Sequence, residues 1–427
     1  RFYSKSVVLE RYNHLLVLEE GKTIELRNAR LIKLYMSSKG LLVVKSKYSN
    51  SERINELTAQ WYDFDFRPIG DATLLASMAP KEFGDRGNFR LRISDNHQCI
   101  SLLFSEPNED GHIVLRHRQF GADLGLLSSN DLLLPYQYPN FIIGDFDVTN
   151  SGVLTLSCKT LKRVKRKIVH TDIRLFEIRD SSVSDYIVLD SLDFKTGELI
   201  YDRVNDQSVY VGLYGLPKEY GMAGSFFCRI DSSTSTVTSV LGKFSEGFVE
   251  DVKTNNRNDG KISEGFEIIK AIPRNDGGVM LVTEQKEIAT EDDIIMVNGI
   301  PQSTSKNIYN FNEILVINYD SEGFMDWYKL ITKNQTTVND GGYYSSVSVY
   351  VGDKFIQLLY NDQIRTSGEV MKYTLYNNGM EESTKLLKSE IDQVAIIPTE
   401  SKQVSSNKMI IPTTKNRRFA LLKLLYN

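Results

Sequence analysis

The stretch Asn312–Asp362 reads NEILVINYD, SEG, FMDWYKLITKN, then YYSSVSVYV, GDK and FIQLLYND. Short runs rich in β-branched and aromatic residues alternate with Asp320, Gly323, Gly352 and Asp353, residue types that accept the tight or left-handed conformations of hairpin turns. Ile314, Leu315, Val316 and Ile317 are consecutive rather than alternating. A strand covered on both faces requires this, and a one-sided surface strand does not. The stretch therefore predicts strands of sheets that are sandwiched between neighbouring sheets.

Weaker copies of the pattern recur. Its most apolar run, the second strand of a unit, has seven counterparts: Leu41–Val44, Ile100–Phe104, Val153–Leu156, Val209–Leu213, Val279–Val282, Phe355–Leu359 and Met409–Pro412. Their spacing of roughly 50 to 75 residues is that of four-stranded propeller blades with loop insertions. Turn residues precede most of them, as in Asn150-Ser151-Gly152 and Asn275-Asp276-Gly277. The expectation is a single all-β domain over residues 1–427, a seven-bladed β-propeller of four-stranded blades. The last unit supplies only three runs before the chain stops, and Phe2–Leu9 belongs to no unit. Pairing this N-terminal strand with the final run would complete the last blade and close the ring, removing two exposed edges. Two β-sandwiches are the alternative architecture. One short helix is expected, Ser51–Gln60, capped by Ser51 with Ile54 and Leu57 on one face.

Composition narrows function. A formal net charge of -4 over 427 residues excludes a bulk basic surface for nucleic acid. No run nears the ~18 apolar residues of a membrane-spanning helix. Cys99, Cys158 and Cys228 lie far apart and match neither a metal pattern nor a small-domain disulfide framework, so they read as buried thiols. The chain opens at Arg1 without an apolar leader, as after removal of an export signal or after trimming of the chain, so the residues alone do not fix a compartment.

In a propeller the long connections gather on one face, here Ser46–Gln60, Leu127–Pro139, Lys159–His170, Gly242–Gly265 and Glu284–Asn310, and long loops on a rigid scaffold are where binding surfaces sit. Lys159, Lys162, Arg163, Lys165, Arg166 and Lys167 form the densest basic run. Glu287, Glu291, Asp292 and Asp293 give another insertion the opposite sign, and a bipolar face suits a protein partner better than a polyanion. Tyr136 and Tyr138, in the apolar connection Leu132–Pro139, are candidate interface anchors. Loops packed over a blade edge, and simply solvated charge runs, read the same way. Val252–Ser263 is polar and reads as a flap.

Catalytic signatures are missing. His14, His97, His112, His117 and His170 form no HExxH, and nucleophile-elbow, Walker A and dinucleotide fingerprints are absent. Asp145, Asp147, Thr149 and Gly152 cover half of a calcium loop with the glycine misplaced, and Asp63 with Asp65 alternate on an expected strand. No cofactor and no metal are expected. A glycan-acting or ligand-binding site in the central funnel remains the alternative, since carboxylates could converge there from separate blades.

Gly323, Trp327 and Lys329, then Lys333, Gln335, Asp340, Ser345 and Ser346, and the closing Leu358-Leu359-Tyr360-Asn361-Asp362 resemble a segment of β-propeller proteins from Bacteroidota cell envelopes. The resemblance implies a non-enzymatic periplasmic or envelope protein, with a protein partner such as an outer-membrane barrel complex, no nucleic acid and no catalytic residues.

Overall fold

The computed structural model describes residues 6–79, 87–137, 140–164, 167–179, 182–231, 233–234, 236–252, 262, 265–297, 300–362, 364, 369–387, 394–415 and 418–426. Strands β1 (Ser6–Tyr12) and β2 (Leu18–Glu25) form a hairpin of their own. Seven antiparallel sheets follow in chain order. The first holds β3 (Arg30–Ser37), β4 (Gly40–Ser49), β5 (Ile54–Tyr62) and β6 (Pro68–Met78), and the second β7 (Arg90–Ile93), β8 (Cys99–Pro107), β9 (His112–Gly121) and β10 (Leu126–Gln137). The third holds β11 (Phe141–Val148), β12 (Leu154–Val164), β13 (Lys167–Arg179) and β14 (Ser182–Asp190), and the fourth β15 (Asp193–Asp202), β16 (Gln207–Gly215), β17 (Gly224–Asp231) and β18 (Val237–Lys243). The fifth is β19 (Phe266–Pro273), β20 (Val279–Val297), β21 (Ile300–Tyr319) and β22 (Met325–Ile331), joined by the short β23 (Gln335–Val338) on β21. The sixth is β24 (Ser348–Val351), β25 (Phe355–Asn361), β26 (Val370–Tyr376) and β27 (Glu381–Leu387), and the seventh β28 (Val394–Ile396), β29 (Lys402–Ser405), β30 (Lys408–Lys415) and β31 (Arg418–Leu425). These are the blades of a seven-bladed β-propeller.

The apolar runs singled out in the sequence lie in β4, β8, β12, β16, β20, β25 and β30, Val153 standing just before β12. In the seventh blade β28 and β29 both pair with β30, at Thr413–Lys415 and at Lys408–Ile410, so they share one strand position interrupted by the 3-10 turn Pro398–Glu400. β31 takes the other side of β30. β1 pairs with β2 from Ser6↔Glu25 to Tyr12↔Leu18. A ladder between β1 and β31 is not among the described ones.

The chain divides into two compact units, residues 1–191, 199–209 and 230–237, and residues 192–198, 210–229 and 238–427, with the fourth blade contributing to both. Within the first, Leu42 and Val44 of β4 point one way, into a core with Leu57, Trp61, Ile100 and Leu102. Leu41 and Val43 point the other way, onto Leu9 and Ile24 of the N-terminal hairpin. Period-2 alternation thus gives each blade two apolar faces. Within the second, Val282, Ile314, Val316, Ile356 and Leu358 join blades five and six, and Leu359, Ile396, Met409 and Ile411 join six and seven.

Three expectations change. The helix over Ser51–Gln60 does not form, because the alternate residues Asn55, Leu57, Ala59 and Trp61 are buried along β5, joined near its end by Gln60. Asn55 hides that alternation by being polar, and it is accommodated by a 2.6 Å hydrogen bond from Ser46 Oγ. A helix occurs instead at Glu246–Val252, where Phe248 and Val252 are buried one turn apart and Ser245 Oγ caps the Phe248 N–H at 3.2 Å. Finally, Leu127–Pro139, Lys159–His170 and Glu284–Asn310 are largely strand rather than loop. Most of the flap Val252–Ser263 lies outside the described residues.

Candidate protein interface

The fifth blade carries the most extended feature. β19 pairs with β20 only as far as Phe266↔Gln285, and β22 with β21 only to Ile314↔Ile331, yet β20 and β21 stay paired from Lys286↔Phe311 to Val297↔Ile300. At ~3.4 Å per residue this arm runs about 40 Å past β19 and β22, and beyond Ile308–Phe311, where β23 adds a third strand, it is a two-stranded ribbon. Residues directly opposite each other share a face, so Ile288, Ile294 and Met296 lie on one side with Tyr309, Ser303 and Pro301. The three apolar side chains are 64%, 70% and 67% exposed. The other side carries the Glu291–Lys306 ion pair at 3.0 Å.

A free two-stranded ribbon is marginal in water, so the arm's order depends on its root. Glu284, next to the last residue of β20 that pairs with β19, is fully buried, and its Oε1 lies 2.9 Å from Lys333 Nζ, whose side chain is equally buried. Lys333 also donates to Phe311 O at 2.9 Å and Gln335 Oε1 at 2.7 Å. Ser346 donates from Oγ to Glu284 Oε2 at 2.5 Å and from its N–H to Gln335 Oε1 at 2.8 Å. Gln335 Nε2 continues to Asn361 O, and Asn361 Nδ2 to Ile396 O, reaching blades six and seven. Burial pulls the Lys333 pKa down against the attraction of Glu284. Ser346 is held at φ +78, a conformation that costs a serine about 1 kcal/mol or more and persists only where the surroundings enforce it. At Gly342, φ is +69 and an added Cβ would sit 2.8 Å from the Phe311 ring, so only glycine fits against the arm's base.

Lys333, Gln335, Ser346 and Asn361 of this network are among the residues that carried the resemblance. Trp327 Nε1 donates to Asn377 O at 3.2 Å and Lys329 pairs with Glu381 at 3.4 Å, so most of that segment pins blades together. Its pattern describes packing and not a reactive surface.

The residues named from sequence separate between the units. Lys159 is half-buried on β12, Lys162 and Arg163 are exposed near its end, and Arg163 Nε donates to Asn140 Oδ1 at 3.1 Å. Lys167 pairs with Val164 as β13 begins, while Lys165 and Arg166 lie outside the described residues. Tyr136 on β10 is engaged internally: it stacks on Phe141 at 5.3 Å and donates to Asp185 Oδ2 at 3.0 Å. Burial and that carboxylate push its pKa up to about 12. Tyr138 lies outside the described residues. Glu291 and Asp292 are exposed on the arm, and Asp293 stands opposite Thr304 on the same ribbon.

One grouping escaped the sequence reading altogether, and so did the arginine partners of another. Ser101 Oγ and His117 Nε2 lie 2.6 Å apart across β8 and β9, but both are buried and His117 Nδ1 has no partner, so a nucleophile–base pair lacks both a third member and access. The second grouping begins with a bulge in β11 that frees backbone carbonyls, and Arg90 takes Ile143 O at 2.8 Å while Arg92 takes Phe146 O at 2.9 Å and Asp145 at 2.6 Å. Asp147, beside them, is pushed up to about 6 by burial. Among the described residues no His, Cys, Asp and Glu grouping has metal-holding geometry.

No family model and no curated protein matches the chain. Among solved structures it is similar to the polysaccharide lyase Uly1, at 10% identity and TM-score 0.44 over 92% of this chain and 89% of that one. It is also similar to the β-propeller domain of the Trilobed protease from Pyrococcus furiosus, which has an open velcro topology, at 12% identity and TM-score 0.41 over 93% and 95%. A Dyadobacter fermentans protein of unknown function is similar at 9% identity and TM-score 0.33 over 83% and 93%. The likeness is one of fold.

Proposed function

We propose that this β-propeller is a non-enzymatic protein-binding module that engages its partner through the β20–β21 arm. The observation that supports this is the exposure of Ile288, Ile294 and Met296 on a ribbon whose base is held by a buried ion-pair network. Each such side chain offers about 1.5–3 kcal/mol when a partner's cavity covers it fully. The acids around it set orientation and exclude wrong partners. The finer reading, carried by the resemblance over Gly323–Asp362, makes the protein a periplasmic or cell-envelope component. Its partner would then be an outer-membrane protein-export channel, in the manner of the plug subunit of the type IX secretion translocon. The test is native co-purification from the source organism with the wild-type chain and an Ile294→Asp/Met296→Asp variant. A partner recovered with the first and lost with the second is expected. Recovery of the protein alone, or equal capture by both, overturns the reading.

A second reading, a glycan or other small ligand held on the first strands of blades two and three, is favoured by Asp147 with its raised pKa beside Arg92 and Asp145. Against it, Arg90 and Arg92 spend guanidinium donors on the carbonyls of the β11 bulge. Oligosaccharide turnover lost in an Asp147→Asn variant would favour it.

A further inference from the structure

The strands that end the seven blades differ in charge. β6 carries Asp71, β10 Asp131, β14 Asp185, β22 Lys329, β27 Glu382 and β31 Lys423. Charges of this kind discourage pairing along an exposed sheet edge. β18, which ends the fourth blade, reads Val-Thr-Ser-Val-Leu-Gly from Val237 to Gly242, with no charge and no proline.

The backbone shows which groups that edge offers. Thr236 O accepts the Asp231 N–H at 3.0 Å, and the Phe244 N–H donates to Ala223 O at 3.0 Å, so the even-numbered residues of the strand face β17. In an antiparallel ladder the residues between them turn their N–H and C=O the other way. Val237, Ser239 and Leu241 therefore present donors and acceptors outward, and among the described residues no strand takes them up. Their side chains share one face, on which Val237 is 36% and Leu241 50% exposed.

Set antiparallel to a second copy about a two-fold axis at Ser239, this edge is its own complement. Val237 lies opposite Leu241, Thr238 opposite Val240 and Ser239 opposite Ser239, so apolar side chains meet, hydroxyls meet at the axis, and no charge is set against its like. In that register Val237, Ser239 and Leu241 all occupy hydrogen-bonded positions, which satisfies every outward backbone group of the run.

We propose that a second copy of this chain pairs antiparallel along the outer edge of β18, joining the two fourth blades into one sheet. Six residues a side fall short of the ~20–30 of a standard interface, so the dimer builds up with concentration. It does not involve the arm, and self-association and partner capture are separate readouts.

Sedimentation velocity of the full chain over a concentration series tests this, with Ser239→Lys and Ser239→Glu variants alone and mixed. The expected result is a dimer that grows with concentration in the wild type and is about tenfold weaker in either variant alone. Mixing the two variants in equal amounts should restore it, because lysine then faces glutamate across the axis, and restoration also shows that both variants are folded. A wild type that stays monomeric overturns the proposal, as does a Ser239→Lys variant that associates like the wild type. A mixture no stronger than its components overturns the register at Ser239. Ser239→Pro removes the central outward N–H without breaking a bond to β17, so it should abolish the dimer while the melting temperature moves by only a few degrees. A dimer that survives this variant would lie elsewhere on the surface and overturn strand pairing.

Discussion

Lys333 Nζ lies 2.9 Å from Glu284 Oε1 with both side chains fully excluded from solvent, at the point where β20 leaves its blade. A buried pair of this kind repays its desolvation only through geometry and further hydrogen bonds, here to Phe311 O, Gln335 and Ser346. Removing one partner strands the other charge. Lys333→Met or Glu284→Gln alone should therefore cost about 3–5 kcal/mol in urea unfolding, and the double variant should recover part of the loss. Single variants costing below about 1 kcal/mol would mean that the pair does not hold the root.

Two titrating groups in the first unit give stability opposite dependences on pH. His117 is buried neutral, and desolvation brings its folded pKa down to about 4 from 6.5. Between those values only the unfolded chain binds the proton, so its contribution is intact above about 6.5 and lost as pH falls through 4, amounting to about 3 kcal/mol. Asp147, raised to about 6 from 3.8, does the reverse. The folded chain holds that proton more tightly, so stability declines as pH rises from about 3.8 to about 6. Relative to the wild type, stability measured from pH 4 to 7 should rise more steeply with pH in Asp147→Asn and shift toward falling with pH in His117→Leu. Unchanged slopes in both variants would contradict these assignments.

How much of this could be read from sequence depends on burial. Val279–Val282 and Phe355–Leu359 stand out as apolar runs because neighbouring blades cover both faces of their strands. β5 was concealed because Asn55 occupies a core position and is satisfied by Ser46. The arm was concealed for the opposite reason. From Glu287 to Asn307 none of the described side chains belongs to a buried apolar cluster, so no hydrophobic period marks the stretch as strand and its polarity imitates a loop. The root and the Ser101–His117 pair depend on register between distant residues, which spacing along the chain does not encode. The resemblance pointed at Lys333, Gln335 and Ser346 without revealing that they are interior.

Cys99, Cys158 and Cys228 are all buried, and burial pushes each thiol's pKa up. Thiolates are the reactive form, so a native chain should release almost no thionitrobenzoate from Ellman's reagent at pH 8. In guanidinium, three equivalents should appear, matching the three cysteines of the sequence. Rapid labelling of any one under native conditions would show that its surroundings open far below the global unfolding energy.

Stability and recognition should be separable at the arm. Its distal ribbon belongs to none of the apolar clusters that join blades five, six and seven, whereas Ile308–Phe311 are tied to β23 and the Lys333 network. Replacing residues 290–307 with an Asn-Gly turn keeps Ala289 opposite Ile308 and leaves the root whole. Since surface changes of this sort usually stay within about 0.5 kcal/mol, the melting temperature should move by only a few degrees. Partner capture should be abolished at the same time. A fall of more than about 10 °C would instead assign the ribbon a packing role, and the exposed Ile288, Ile294 and Met296 would then need a neighbour within the protein itself.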